Sequence, residues 1–227
     1  TTCLDQTTIG VCADGEPGAM TIACNDGACV ENEGVAQCSD IVCLAGERLC
    51  NGSETVLQCN EAGTGFQFFE SCETAATGRQ CDRGTCVPLC ILNEKTRTNI
   101  GCDYWAADLD NAFVPGGDGF INASRAPYAV VVSNPSETLT AEVTILNNEG
   151  VSEDADMLPA VRAVPPLGLE VFYLPHRDIE STSITPKAYR VKSSIPIVAY
   201  QFNPLDNEEV FSNDASLLLP SHVLGSE

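Results

Sequence analysis

The chain has 227 residues, 44% of them hydrophobic, which is room for two domains of ordinary size. Its 32 Asp and Glu against 11 Lys and Arg give a formal charge of −21. Such a field repels nucleic-acid phosphates and anionic headgroups, and the longest apolar runs, residues 130–132 and 217–219, are far too short to span a bilayer. Nucleic acid is therefore excluded as a partner, and no direct membrane insertion is expected within these residues.

All 13 cysteines fall between Cys3 and Cys102. A part held by crosslinks is thus joined near residue 100 to a part that must bury aliphatic strands. No Cys-x-x-Cys occurs, and His176 and His222 lie far from the cysteines. That pattern argues against zinc and for disulfides among Cys12, Cys24, Cys29, Cys38, Cys43, Cys50, Cys59, Cys72, Cys81, Cys86 and Cys90. The number is odd. The cysteine left over is either Cys3, pairing with chain upstream, or Cys102, a free thiol in the second part. So many disulfides need an oxidising compartment, which predicts an extracellular or cell-surface protein. Thr1 is not an initiator, and the residues after it lack the regions of a signal peptide, so a mature or excised piece is expected.

The phrase Cys24-Asn-Asp-Gly-Ala-Cys29-Val returns as Cys81-Asp-Arg-Gly-Thr-Cys86-Val, and the Cys3/Cys12 and Cys50/Cys59 intervals match. This predicts two copies of a small disulfide-rich module, residues 1–42 and 43–92, with Gly27 and Gly84 in tight turns. Runs at 55–58 and 65–69 read as short hairpin strands. Asn51-Gly-Ser and Asn122-Ala-Ser are formal glycosylation sequons of low weight.

From Gly101 the pattern becomes short β-rich runs between turn signals: 128–133, 139–146, 161–164, 167–174, 188–191, 195–202 and 216–219. The first two, separated by Asn134-Pro135-Ser136, read as an antiparallel pair. No segment carries a sustained helical apolar period. The whole chain is expected to be mainly β, with an antiparallel β-sandwich over residues 100–227.

Four stretches of this second part, taken in order, resemble a known family. They are Gly101-Cys-Asp-Tyr-Trp-Ala106, Val131-Val-Ser-Asn-Pro135, Ile195-Pro-Ile-Val-Ala-Tyr-Gln-Phe-Asn-Pro204 and Ser212-Asn-Asp-Ala-Ser-Leu-Leu-Leu-Pro220. Together they resemble the N-terminal domain of IgGFc-binding proteins, especially bacterial secreted members with a cysteine-rich lead-in. The resemblance covers about half the chain and implies extracellular recognition or adhesion rather than catalysis. The family continues past the point matching Leu224-Gly225, so the resemblance implies a domain incomplete at its C-terminus. Antibody binding does not carry over, because no Fc-contacting residue is assignable to a position here. The partner class implied is an extracellular protein or a glycan. The alternative is a structural subunit of an extracellular assembly or filament, with self-association.

Candidate sites are few. Asp108, Asp110, Asn111 and Asp118 gather hard oxygen ligands suited to calcium, without an EF-hand register. A second acidic cluster spans 206–209 and 213–214. Tyr104 and Trp105 are candidate ligand-contact aromatics; as strand neighbours they must face opposite sides. His176-Arg177-Asp178 spells part of a kinase catalytic loop, but the phosphate loop and Asp-Phe-Gly are missing, and neither histidine has a nucleophile motif beside it. No catalytic residue is assigned, and the chain is expected not to be an enzyme.

Overall fold

Cystine sulfur, more than aliphatic side chains, fills the interior of the N-terminal part. The structure is a computed structural model that describes residues 1–13, 16–25, 27–116, 119–147, 161–206, 210 and 213–225, with the backbone alone at 12–13, 16–19, 32 and 120. The chain divides into two compact units, Thr1–Val87 and Pro88–Glu227, and is mainly β.

In the first unit β1 (Thr2–Asp5), β2 (Thr8–Ala13) and β3 (Glu16–Ala23) form an antiparallel meander, followed by the hairpin β4 (Gly27–Asn32) and β5 (Val35–Asp40). Cys3–Cys29 and Cys24–Cys38 bridge these strands. The small interior is Ile9, Cys24, Cys29 and Ala36. Next come β6 (Arg48–Asn51), β7 (Thr55–Cys59) and β8 (Phe66–Ser71), a short α1 (Thr74–Thr77), and the hairpin β9 (Arg79–Asp82) and β10 (Thr85–Pro88). Cys43–Cys59, Cys50–Cys81 and Cys72–Cys86 hold them around Val56. The hairpin expected from runs 55–58 and 65–69 is β7–β8.

Several expectations change here. Neither Cys3 nor Cys102 is the odd cysteine, because Cys3 pairs with Cys29 and Cys102 with Cys90. These six bridges use twelve cysteines; the one left by count is Cys12, whose side chain lies outside the described residues. The second module ends at Val87 rather than 92, since Cys90 belongs by its bridge to the unit that follows. The two copies of the cysteine phrase are also bridged differently. Cys24 pairs downstream and Cys29 upstream, whereas Cys81 and Cys86 both pair upstream. Gly84 does sit in a tight turn, at φ 75° beside Arg83 at φ 51°, the left-handed pair of a two-residue hairpin loop. Gly27 lies instead inside β4, where a Cβ would meet the Ser39 carbonyl oxygen at 2.3 Å. Close strand approach, not turn geometry, requires that glycine.

The second unit opens with α2 (Leu89–Asn93), tied by Cys90–Cys102 to β11 (Gly101–Ala106). Then follow β12 (Phe113–Gly116), β13 (Gly119–Asn122), β14 (Tyr128–Ser133), β15 (Ala141–Leu146), β16 (Val161–Val164), β17 (Leu169–Leu174), β18 (Tyr189–Phe202) and β19 (Ala215–Leu217). β12 and β13 form a separate hairpin. The other seven strands build one curled antiparallel sheet that folds over itself as a sandwich.

β18 makes that fold possible. Its first half pairs with β11 and β15, its second half with β14 and β19, so one 14-residue strand belongs to both layers. Asp103 of β11 stands opposite Lys192, yet Gly101 stands opposite Ile197. The surplus residues of β18 form the bend, and Pro196 sits there, where a missing N–H costs no regular ladder bond. The runs 188–191 and 195–202 are therefore one strand. Odd-numbered positions from Tyr189 to Ala199 turn inward, all but Ser193 buried, and join Tyr104, Tyr128, Val130, Val132, Val143, Val164 and Phe172 in a continuous core.

β14 and β15 do not pair with each other as expected; each pairs with β18, at opposite ends of the bend. The reason is Asn134, which is 1% exposed. Its Nδ2 lies 2.7 Å from the Leu139 carbonyl, 3.0 Å from that of Val164 and 3.1 Å from that of Pro165, while Oδ1 accepts from the Ser136 N–H. These contacts fasten a crossing between layers in place of a hairpin.

Candidate functional site

Just after β11, the chain runs beside the segment following β17. Leu109 and Ile179 form a parallel bridge, Ile179 N–H donates to the Asp108 carbonyl at 2.9 Å, and Asp110 N–H donates to the Ile179 carbonyl at 3.2 Å. This juxtaposition brings Asp108, His176 and Asp178 together, with one ligand-type atom from each within 4.8 Å of the others. Asp108 is 1% exposed and accepts the Arg177 N–H at 3.0 Å, with His176 Nδ1 3.8 Å from the same oxygen. Asp178 Oδ1 is buried with no hydrogen-bond partner. Burial above all pushes the Asp108 carboxyl up to about 6; the Arg177 N–H and His176 oppose the rise, and the negative charge of Asp178 adds to it. Burial likewise pushes the Tyr128 phenol above its ordinary range, with the Asp108 charge and Tyr189 contributing. Tyr128 and Tyr189 stack with centroids 6.2 Å apart.

Of the calcium set expected from sequence, Asp108, Asp110 and Asn111 are described. Asp108 turns into this buried cluster. Asp110 is exposed, and Asn111 spends its amide on the Asn203 carbonyl at 2.8 Å and its oxygen on the Ala112 N–H at 2.6 Å. Asp118 lies outside the described residues, as do 207–209 of the second acidic cluster. Sequence reading passed over His176 and Asp178 as a coincidence of letters. Arg177 is 69 positions from Asp108, and no local signal announces their meeting. His222 Nε2 lies 3.1 Å from the Thr96 carbonyl, a contact within the fold of the unit. Asn122 turns its amide oxygen to the Ser124 hydroxyl at 2.6 Å and so caps a short turn.

The two candidate aromatics separate as strand alternation requires. Tyr104 is fully buried, its hydroxyl held by the Asn99 and Ile197 carbonyls, so it is a core residue and not a contact residue. Trp105 is 37% exposed on the outer face of β11, with the Arg190 guanidinium 5.4 Å from its ring. Arg190 is itself gripped by Asp103 through Nε at 2.8 Å and Nη2 at 2.7 Å. Replacing Arg190 with Ala should cost about 1 kcal/mol, through loss of a bidentate pair and a cation–π contact, and should shift the emission of Trp105, the single tryptophan. An unchanged melting point and spectrum would show that the stack carries nothing.

The outer faces of the two layers differ in chemistry. Around β11 and the first half of β18 the outward positions include Asp103, Arg190, Lys192 and Glu142. On the other layer the register sets Leu169, Val171 and Tyr173 of β17 beside Ser133, Val131 and Ala129 of β14, then Val198, Tyr200 and Phe202 of β18, then Ala215 and Leu217 of β19. None of these positions is charged; Ala129 and Val131 of the central β14 are buried, and the exposed side chains stand on the strands flanking it. Leu169 is 60% exposed, Tyr173 41% and Leu217 45%. An antiparallel sheet with one wet face ordinarily alternates apolar and polar residues, and this one does not.

No protein-family model matches the chain, and no curated protein matches it. Among solved structures, the crystal structure of Thermotoga maritima 1070 is similar at 15% identity, covering 55% of this chain and 98% of that one, with a TM-score of 0.29. At that degree of superposition it carries no argument about fold or function.

Proposed function

We propose that the chain is a secreted or surface-displayed recognition protein that binds a protein partner through the uncharged outer face of β17, β14, β18 and β19. The observation carrying this reading is that face itself: large apolar side chains stand exposed on one layer with no charged residue among its outward positions, while the outward positions of the other layer include Asp103, Arg190, Lys192 and Glu142 beside Trp105 and Val161. The disulfides, which require an oxidising compartment, support export. The resemblance of the sandwich motifs to IgGFc-binding N-terminal domains supports recognition over catalysis. Exposed Asp206 and Asp214 flank the end of the face where β18 passes to β19. The occupant is accordingly a protein with an apolar patch rimmed by Lys and Arg. A second copy is a poorer occupant, since each brings a formal charge of −21. A glycan is favoured less, because the one tryptophan already has Arg190 beside its ring.

The test compares the full chain with a Leu169→Glu, Tyr200→Glu variant against an immobilised panel of basic and acidic extracellular proteins. Both forms should melt alike, with binding to basic members weakened roughly tenfold or more in the variant. A variant that binds as the wild type does would overturn the assignment. Concentration-dependent dimers abolished by the same substitutions would replace it with self-assembly.

A further inference from the structure

We infer that Asp108, His176 and Asp178 form a binding site for one divalent transition-metal ion, of the zinc class, on the second unit. Two carboxylates in a strongly acidic chain converge where one is almost wholly buried and the other has an oxygen that no donor reaches. A buried carboxylate is normally answered by donors or a cation, and the Arg177 N–H answers only one oxygen of Asp108. A dication neutralises both carboxylates at once. The imidazole then acts as a neutral ligand.

The donor set selects the metal. Calcium takes six to eight oxygens, and the oxygen ligands expected from Asp110 and Asn111 are exposed or already used. One nitrogen and two carboxylate oxygens suit zinc or a neighbouring first-row ion with water in the open position. Tetrahedral ligands about 2.0 Å from zinc stand about 3.3 Å apart. The Asp108 to His176 separation is 3.8 Å and the whole triad spans at most 4.8 Å. Only a small closing movement is required, and exposed His176 can supply it at the solvent side. The stacked rings of Tyr128 and Tyr189 lie close by, with the Arg177 guanidinium 5.4 Å from the Tyr189 ring.

The experiment uses the full chain with Cys12→Ser, so that the cysteine left over by count cannot compete, stripped by chelator and then titrated with Zn²⁺, Mn²⁺ and Ca²⁺. Calorimetry is expected to give one saturable Zn²⁺ site, and Zn²⁺ to raise the melting point followed by Trp105 fluorescence. His176→Ala and Asp178→Asn should each weaken Zn²⁺ binding by roughly tenfold or more, while Asp110→Asn and His222→Ala leave it unchanged. His176 is exposed, so its variant keeps the test valid if changes at Asp108 prevent folding. No saturable Zn²⁺ binding up to about 1 mM, or binding indifferent to both His176→Ala and Asp178→Asn, overturns the site. Calcium binding that ignores His176→Ala does the same.

Discussion

Reduction of the intact chain under otherwise native conditions is expected to unfold Thr1–Val87 and to leave Pro88–Glu227 with a cooperative transition of its own. The described interior of the first unit is made of the cystines themselves: Cys24 and Cys29 with Ile9 and Ala36, and Cys72 and Cys86 with Val56. Breaking the bridges removes both the crosslinks and much of the apolar burial. Cys50–Cys81 closes the longest described loop, a separation of 31, and by chain entropy its loss through paired Ser substitutions should cost about 4 kcal/mol. The second unit has one described bridge, Cys90–Cys102, with a separation of 12, worth about 3 kcal/mol on the same basis. Its aliphatic core remains when that bridge opens. Trp105 sits on β11, so tryptophan fluorescence reports the second unit alone, while amide hydrogen exchange reports both. Simultaneous loss of both units on reduction, or a first unit that keeps slow exchange without its disulfides, would contradict this division of labour.

What could be read from sequence, and what could not, follows from how local each determinant is. The change from cysteine-rich to strand-rich chain is a composition signal, and the strands of the second unit are runs of β-branched and aromatic residues; both are carried by neighbours in sequence. Pairing is not. The Asn134-Pro135 turn signal reads as a hairpin, yet the Asn134 side chain binds carbonyls at Val164 and Pro165, which no turn rule anticipates. The runs 188–191 and 195–202 read as two strands, and they are one only because β18 bends between layers, with Pro196 at the bend. Cysteine spacing could not identify Cys12 as the odd one, since bridges join Cα atoms that are close in space and not in sequence. Alternation did foretell that only one of Tyr104 and Trp105 would face outward, but the choice awaited the layer in which β11 lies. The metal-type triad was hidden for the same reason: two of its members belong to a loop that reaches Asp108 only through the Leu109–Ile179 bridge.

Replacing Asn134 with Ala is expected to be among the most damaging single changes in the second unit. The side chain is buried and contributes two N–H groups to three backbone carbonyls and one acceptor to the Ser136 N–H. Alanine takes this partner from the Leu139 and Val164 carbonyls and the Ser136 N–H at a place closed to solvent, while the Pro165 carbonyl keeps the Gly168 N–H at 2.9 Å. With about 1–3 kcal/mol for each unsatisfied buried group and some relief from local shifts, a net loss of about 3 kcal/mol is expected. For a unit of this size that corresponds to a fall in melting temperature of about 10 °C. Asn134→Asp sharpens the test, because it preserves shape and the acceptor for Ser136 but turns a carboxylate toward three carbonyl oxygens. It should be at least as harmful as alanine at neutral pH. If the side chain only filled space, aspartate would be tolerated and alanine would be the worse change. The damage should also be specific in location: Asn134 directly follows β14, Leu139 leads into β15, and Val164 ends β16, so weakened exchange protection is expected at all three strand ends while β11 keeps its own. Asn134 thereby couples the layer bearing the uncharged outer face to the layer bearing the charged one, and loss of that coupling should loosen Leu169 through the Gly168 carbonyl that accepts the Asn134 N–H at 3.0 Å.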